Sequence, residues 1–234
     1  MKHYLIEFRF HGYARKYAKR LAFDVAKKFR VKGVTRKKVV PHITVFGPFT
    51  TRNEGKMISE VANISKKYTL VPFTVKGFNY FDNPSKKVIY LDIEPSEELK
   101  QLRYELSKSL RKITSTKSSQ DRKSKDDFYF HATIAFKDID QKFDKIWRYL
   151  KKKEEPNINQ HLVRITILKG RRILREYDLM QKRLLSRKQS LNHQLFLKTI
   201  NILKKHLSTQ EFKTEIIKQD KISTWKKIKS FFRK

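Results

Sequence analysis

"PHITVFGPF" at residues 41–49 and "FHATIAFK" at residues 130–137 each contain a histidine, an apolar residue, a threonine and a second apolar residue, in a chain of 234 residues with seven histidines. Four positions are a weak signal alone, so their surroundings decide. Upstream, "HYLIEFRF" (3–10) alternates: Tyr4, Ile6, Phe8 and Phe10 share one face, and His3, Leu5, Glu7 and Arg9 share the other, as in a half-buried strand. Residues 13 to 30 change period. Ala14, Tyr17, Ala18, Leu21, Val25 and Phe29 form the stripe of an amphipathic helix. After a basic link at 32 to 38 comes "VVPHITVF". The order is strand, helix, then the first His/Thr strand.

The second motif has the same setting. A short helix is expected over 54 to 67, a strand over 72 to 81, turn chemistry in "DNPS" (82–85), and a returning strand in "KKVIYLDIE". Ser96 caps a helix whose stripe is Leu99, Leu102, Leu106, Leu110 and Ile113. A polar link, "TSTKSSQDRKSKDD" (114–127), reads as a solvated loop and leads into "FYFHATIAF". The motifs therefore occupy equivalent places in an internal repeat, which predicts an α+β protein of two similar lobes. A helix near 140 to 153, a breaker at Pro156, and a hairpin of "HLVRITILKG" with "RRILREYDL" turning at Gly170 complete the expected core.

On a strand, residues two apart point the same way, so His42 and Thr44 share a face, as do His131 and Thr133. The opposite parity holds Pro41, Ile43 and Val45 in one strand and Phe128, Phe130, Ala132, Ile134 and Phe136 in the other, which reads as the core face. Each His/Thr pair then projects away from its own core. If the lobes face one another, two imidazoles and two hydroxyls line one cleft. Imidazole serves as acid or base near neutrality, and threonine hydroxyls can donate to nonbridging phosphate oxygens. That set suits a phosphodiester without a metal or other cofactor: no carboxylate is expected beside either motif on its exposed face, and two imidazoles alone make a poor divalent site.

Composition narrows the partners. Fifty-six Lys and Arg against 23 Asp and Glu give a formal net charge of +33, a field that attracts polyanions, with nucleic acid leading and acidic membrane second. The absence of cysteine removes disulfides, thiolate metal sites and a thiol nucleophile. The amino terminus carries Glu7 and Arg9 inside its apolar stretch, and no run is long enough to span a bilayer, so a soluble cytoplasmic protein without a transmembrane segment is expected.

At these residues the chain resembles the 2H phosphoesterase superfamily, in particular its 2'-5' RNA ligases and RNA 2',3'-cyclic phosphodiesterases. The matching motifs are His42-Ile43-Thr44-Val45 and His131-Ala132-Thr133-Ile134, and residues 2 to 180 follow the family's order of elements, including "VPFTVKGFNYFDNPSKKVIYLDIE". The resemblance implies a bilobal fold of two antiparallel sheets with outer helices, related by pseudo-two-fold symmetry, over residues 1–178. It implies that His131 is general base to the water attacking a 2',3'-cyclic phosphate, that His42 protonates the leaving ribose oxygen, and that Thr44 and Thr133 steady the phosphoryl oxygens. The product is then a 2'-phosphate, and the same proton transfers with a 5'-hydroxyl in place of water make a 2'-5' linkage. RNA, such as tRNA or fragments with cyclic phosphate ends, is the implied partner. Tyr129 is a candidate for stacking a base, and Arg9 for reaching phosphate. His3, His11, His161, His193 and His206 lack a threonine two residues on and receive no role. Two other readings stand beside this one: the same cleft acting on small cyclic nucleotides or 2'-5' oligoadenylates, and an RNA-binding protein on the same fold.

The chain departs from the family at its end. Residues 179–234 are expected to form a basic helical extension, with apolar positions 180, 184, 191, 195 and 202 suggesting one long helix. "KISTWKKIKSFFRK" spaces Ile222, Trp225, Ile228 and Phe231 like a second.

Overall fold

A computed structural model describes residues 3–31, 40–83, 86–136 and 138–209. The link at 32 to 38, the second half of the 82–85 turn and the stretch from 221 lie outside the described residues. The first compact unit runs to Leu191. Its strands are β1 (Tyr4–Arg9), β2 (His42–Thr50), β3 (Pro72–Asn83), β4 (Lys86–Pro95), β5 (Ser115–Thr116), β6 (His131–Phe136), β7 (Asn157–His161), β8 (Arg164–Lys169), β9 (Arg172–Asp178) and β10 (Arg183–Ser186). Its helices are α1 (Gly12–Phe29), α2 (Glu54–Ser65), α3 (Glu97–Leu110), α4 (Phe143–Lys151) and the single turn α5 (Arg187–Ser190).

The strands form two sheets. One has the order β10-β9-β8-β1-β2-β5, the other β6-β4-β3-β7, and every pairing is antiparallel. The protein is thus α+β with one His/Thr strand in each sheet, as the repeat in the sequence predicts. The strand expected over 161–170 is divided: β7 ends at His161 in the four-stranded sheet, and after Leu162 and Val163 the chain resumes as β8 in the six-stranded one.

The helices cross over. α1 joins two strands of the six-stranded sheet yet packs against β6 of the other. It can approach closely because Ala14, Ala18, Ala22 and Ala26 recur every fourth residue on its buried face, beside Leu21 and Val25. α3 follows β4 of the four-stranded sheet, touches β3 and β4, and also reaches β2 of the six-stranded sheet. Leu99, Leu102, Leu106 and Leu110 are completely buried there. Ser96 caps this helix by accepting the Leu99 amide, as expected.

Three expectations are corrected. Residues 183–186 form β10 on β9 rather than part of a helix from 180, because the Asp178 carboxylate accepts the Met180 and Gln181 amides, Lys182 turns the chain at φ 52°, and β10 then pairs with β9. Phe136 is 38% exposed although it shares parity with buried Phe130 and Ile134, because a register shift between Ile89 and Tyr90 puts Ala135 inward instead. Phe128 is only half-buried; it lies before the strand, under the Arg103 guanidinium at 3.8 Å.

The link at 114–127 is not a solvated loop either. It contributes β5 and a turn of 3₁₀ helix at Ser119–Arg122, and Asp121 within that turn is buried. Its carboxylate accepts the Gly47 amide at 3.0 Å and the Thr116 hydroxyl. Buried Arg103 holds the same segment through the carbonyls of Gln120 and Lys123. Charges that read as solvated in sequence here anchor backbone.

The second unit, from Asn192, contains a helix at residues 193–209, α6. The Asn192 side chain accepts the Leu195 amide at its start, a polar cap.

Candidate active site

β1 is the strand next to β2, and their register sets Arg9 opposite His42 and Glu7 opposite Thr44. Tyr4, Ile6 and Phe8 are buried on the core face, as are Ile43 and Val45, so His42 and Thr44 stand on the other face of the sheet. In the second sheet His131 lies opposite Asp92 and Thr133 opposite Tyr90. β2 and β6 touch across the sheets, which brings the two motif strands together, and the ground between their His/Thr faces is the candidate cleft.

Both imidazoles are tied back in the same way. His42 Nδ1 lies 2.8 Å from the Val40 carbonyl and His131 Nδ1 lies 3.2 Å from the Tyr129 carbonyl. A carbonyl can only accept, so each Nδ1 carries the proton and each neutral ring keeps its lone pair on Nε2. The surroundings of the rings differ. His131 is packed against Phe81 and Tyr90, with centroids 4.9 and 5.3 Å away. Burial pushes its pKa below the ordinary imidazole value; the bond to the Tyr129 carbonyl opposes that shift, the charge of His42 adds to it, and Asp92 opposes it. His42 Nε2, by contrast, stands 3.7 Å from the Glu7 carboxylate. The Thr44 and Thr133 hydroxyls make no side-chain hydrogen bond among the described residues, which leaves both to donate to a ligand.

Tyr129 is 39% exposed, on the same parity as His131. Its hydroxyl donates to Asp92 at 3.1 Å and accepts from Asn79 at 3.2 Å, and its ring meets Phe81 edge-on. Arg9 is not a free cation: its Nε donates to Glu7 at 2.7 Å, on the strand position opposite His42. Both candidates therefore flank the cleft, each fixed by a carboxylate.

Sequence reasoning missed those carboxylates. No acid lies along either motif strand, but neighbouring strands bring Glu7 beside His42 and Asp92 opposite His131. The row continues across the sheet, Thr44 to Glu7 to Thr166 to Glu176. Thr166 donates to Glu176 at 2.8 Å, and Arg164 lies 3.0 Å from Asp178 and 3.4 Å from Glu176. Burial raises the Glu176 pKa, while Thr166 and Arg164 pull it back. With Arg9 on Glu7 and Arg164 on the other two acids, the carboxylates of this floor are already paired. Among the described residues no group of three or more His, Cys, Asp or Glu is placed to hold a metal ion.

The family model for the 2'-5' RNA ligase superfamily matches residues 17–172, a span that includes both motifs. The chain belongs to this superfamily. It is therefore a two-histidine phosphoesterase by family, and membership supports an RNA phosphoesterase. A search of curated proteins gives no match. Among solved structures, Usb1 of Kluyveromyces marxianus is similar at 10% identity and a TM-score of 0.44, over 79% of this chain and 97% of that one. The same protein with uridine monophosphate gives 10% and 0.43, over 79% and 96%. A structure described as a phosphoesterase gives 11% and 0.40, over 79% and 93%. Among the described residues no helix is long and apolar enough to cross a membrane.

Proposed function

We propose that the protein opens RNA 2',3'-cyclic phosphate ends to 2'-phosphates without a metal, by proton transfer between two histidines. His131 Nε2 takes a proton from water as the water oxygen attacks phosphorus. The bond from phosphorus to the 3' oxygen breaks, and His42 gives its Nε2 proton to that oxygen. Thr44 and Thr133 donate to the nonbridging oxygens as charge builds on them. Proton exchange with solvent resets the pair. With a 5'-hydroxyl in place of water, the same sequence joins two ends through a 2'-5' linkage, and its reverse cleaves that linkage back to the cyclic phosphate.

The observation that carries this reading is the matched pair of back-bonded imidazoles on the two motif strands, each with Nδ1 held by a carbonyl so that Nε2 is the proton-transfer atom. Two further features support the division of roles. Burial lowers the His131 pKa, which suits a base, and the Glu7 carboxylate beside His42 suits a proton donor. The net charge of +33 favours a polymer over a mononucleotide.

The test is hydrolysis of an RNA oligonucleotide with a 2',3'-cyclic phosphate end, in excess chelator, with the product position read by phosphorus NMR. Turnover is expected to persist and to give the 2'-phosphate. His42→Ala and His131→Ala are each expected to lower kcat by about 10²- to 10⁴-fold. Full activity in either variant removes that residue from the chemistry.

A further inference from the structure

At the far end of the motif strand, a groove of about 680 Å³ opens between the β2–α2 connection, the first turn of α2 and the turn before β5. Arg52, Lys56 and Lys112 line it, all exposed, with no acidic residue in the lining. None of the three has a carboxylate partner among the described residues, although elsewhere on the surface many lysines do. The nearby acid in α2, Glu54, is occupied by Lys169 at 2.5 Å and Tyr4 at 2.6 Å. Three unneutralised cations converging on one concavity cost repulsion unless an anion sits among them.

The register shows which face the groove serves. Phe49 pairs with Tyr4 and both are buried on the core face; Thr50, the next residue, pairs with Ser115 and so lies on the face of His42 and Thr44. Both hydroxyls line the groove. Two irregularities shorten β2: His42 and Phe49 pair with Arg9 and Tyr4, only five residues apart on β1, so Thr50 lies about six strand rises from His42, about 20 Å at about 3.3 Å per residue. At about 3.4 Å per phosphate along a stacked strand, the groove falls about six nucleotides from the reacting end.

We propose that this groove is a second RNA site, which grips the phosphate backbone upstream of the end held in the His/Thr cleft. It rests on the reading of that cleft as an RNA-end site. A protein with this site selects for length: a fragment shorter than about six nucleotides meets only the cleft, and a longer one is held at both ends.

The experiment uses the full chain and the variant Arg52→Gln/Lys56→Gln/Lys112→Gln, all at exposed positions outside the chemistry. Binding is measured by fluorescence anisotropy against salt, with 12- and 3-nucleotide RNAs that end in a 3'-phosphate and so do not turn over. For the 12-mer the variant is expected to bind more weakly, with a plot of log K against log salt shallower by about 2, three contacts at about 0.7 each. The 3-mer and the turnover of a cyclic mononucleotide are expected to be unchanged. An unchanged slope for the 12-mer overturns the proposal. So does an equal loss for the 3-mer, or an equal loss for polyglutamate of matched charge, which marks a surface for acidic protein. If wild-type protein hydrolyses no cyclic phosphate, the function proposed above fails while the binding comparison still decides the groove.

Discussion

Asp121 anchors the wall of that groove, and its removal has a calculable cost. The buried carboxylate accepts the Gly47 amide on β2 and the Thr116 hydroxyl on β5, and its own backbone carbonyl accepts from Ser107. Asp121→Ala leaves the Gly47 amide, in a buried residue, without an acceptor, a loss of about 1–3 kcal/mol; the half-buried Thr116 hydroxyl adds about 1 kcal/mol. Burial raises the Asp121 pKa, so deleting the charge returns part of that loss. The net expectation is a destabilisation of about 1–3 kcal/mol. Asp121→Asn keeps an acceptor for Gly47 and loses about 1 kcal/mol or less. Urea denaturation at pH 7 measures both. If Asp121→Ala lies within about 0.5 kcal/mol of wild type, or if Asn costs as much as Ala, the carboxylate is not the pin described. β5 pairs with β2 through only two residues, so the Ala variant should also raise KM for long RNA while leaving the turnover of a cyclic mononucleotide intact.

Gly47→Ala should be similarly severe, about 2–4 kcal/mol: φ there is +103°, and a Cβ meets the Phe49 ring at 2.9 Å and the Tyr4 carbonyl at 3.1 Å. A thermal melt showing no loss refutes it. Glu7→Gln should lower kcat about tenfold, or about 1.4 kcal/mol, with a smaller change in KM, because the carboxylate orients Arg9 and faces His42; an unchanged kcat assigns Glu7 to stability alone. Burial lowers the pKa values of His11, His131 and His161. The unfolded chain then binds protons near pH 6.5 that the folded chain refuses, so stability is complete above that pH and is lost as pH falls through it. Melting temperature should drop between pH 7.5 and 5.5, and His161→Gln should reduce the slope; a flat profile in wild type contradicts the buried state of these rings.

The parts of this fold that obey a short period were readable from sequence. "HYLIEFRF" and the α1 stripe declare their faces because one side of each meets a core, and the repeat placed His42 and His131 in equivalent strands. Pairing across strands has no such local signature. Glu7 and Asp92 reach the histidines through register, which joins residues far apart in the chain. A signal was nevertheless present. Glu7/Arg9, Arg164/Thr166 and Glu176/Asp178 are polar pairs two residues apart flanking an apolar one, the same pattern as the two motifs, and together with His42/Thr44 they tile one face of the six-stranded sheet. The polar link before β6 misled because composition cannot distinguish a solvated aspartate from one that holds two strands together, as Asp121 does. The end of the core misled because Leu184 and Leu185 fit a helical stripe as well as a short edge strand, and only the turn held by Asp178 decides between them.

The exchange of helices has a consequence for motion. Since α1 leaves the six-stranded sheet to lie on β6 and then returns, and α3 reaches from the four-stranded sheet to β2, each half of the molecule is clasped by a limb of the other. Jaws woven together in this manner cannot swing wide on a hinge without tearing a helix from its seat. The spacing of the two motif strands is therefore held by the crossed helices, and proteolytic halves should be insoluble apart yet recover activity when refolded as a mixture.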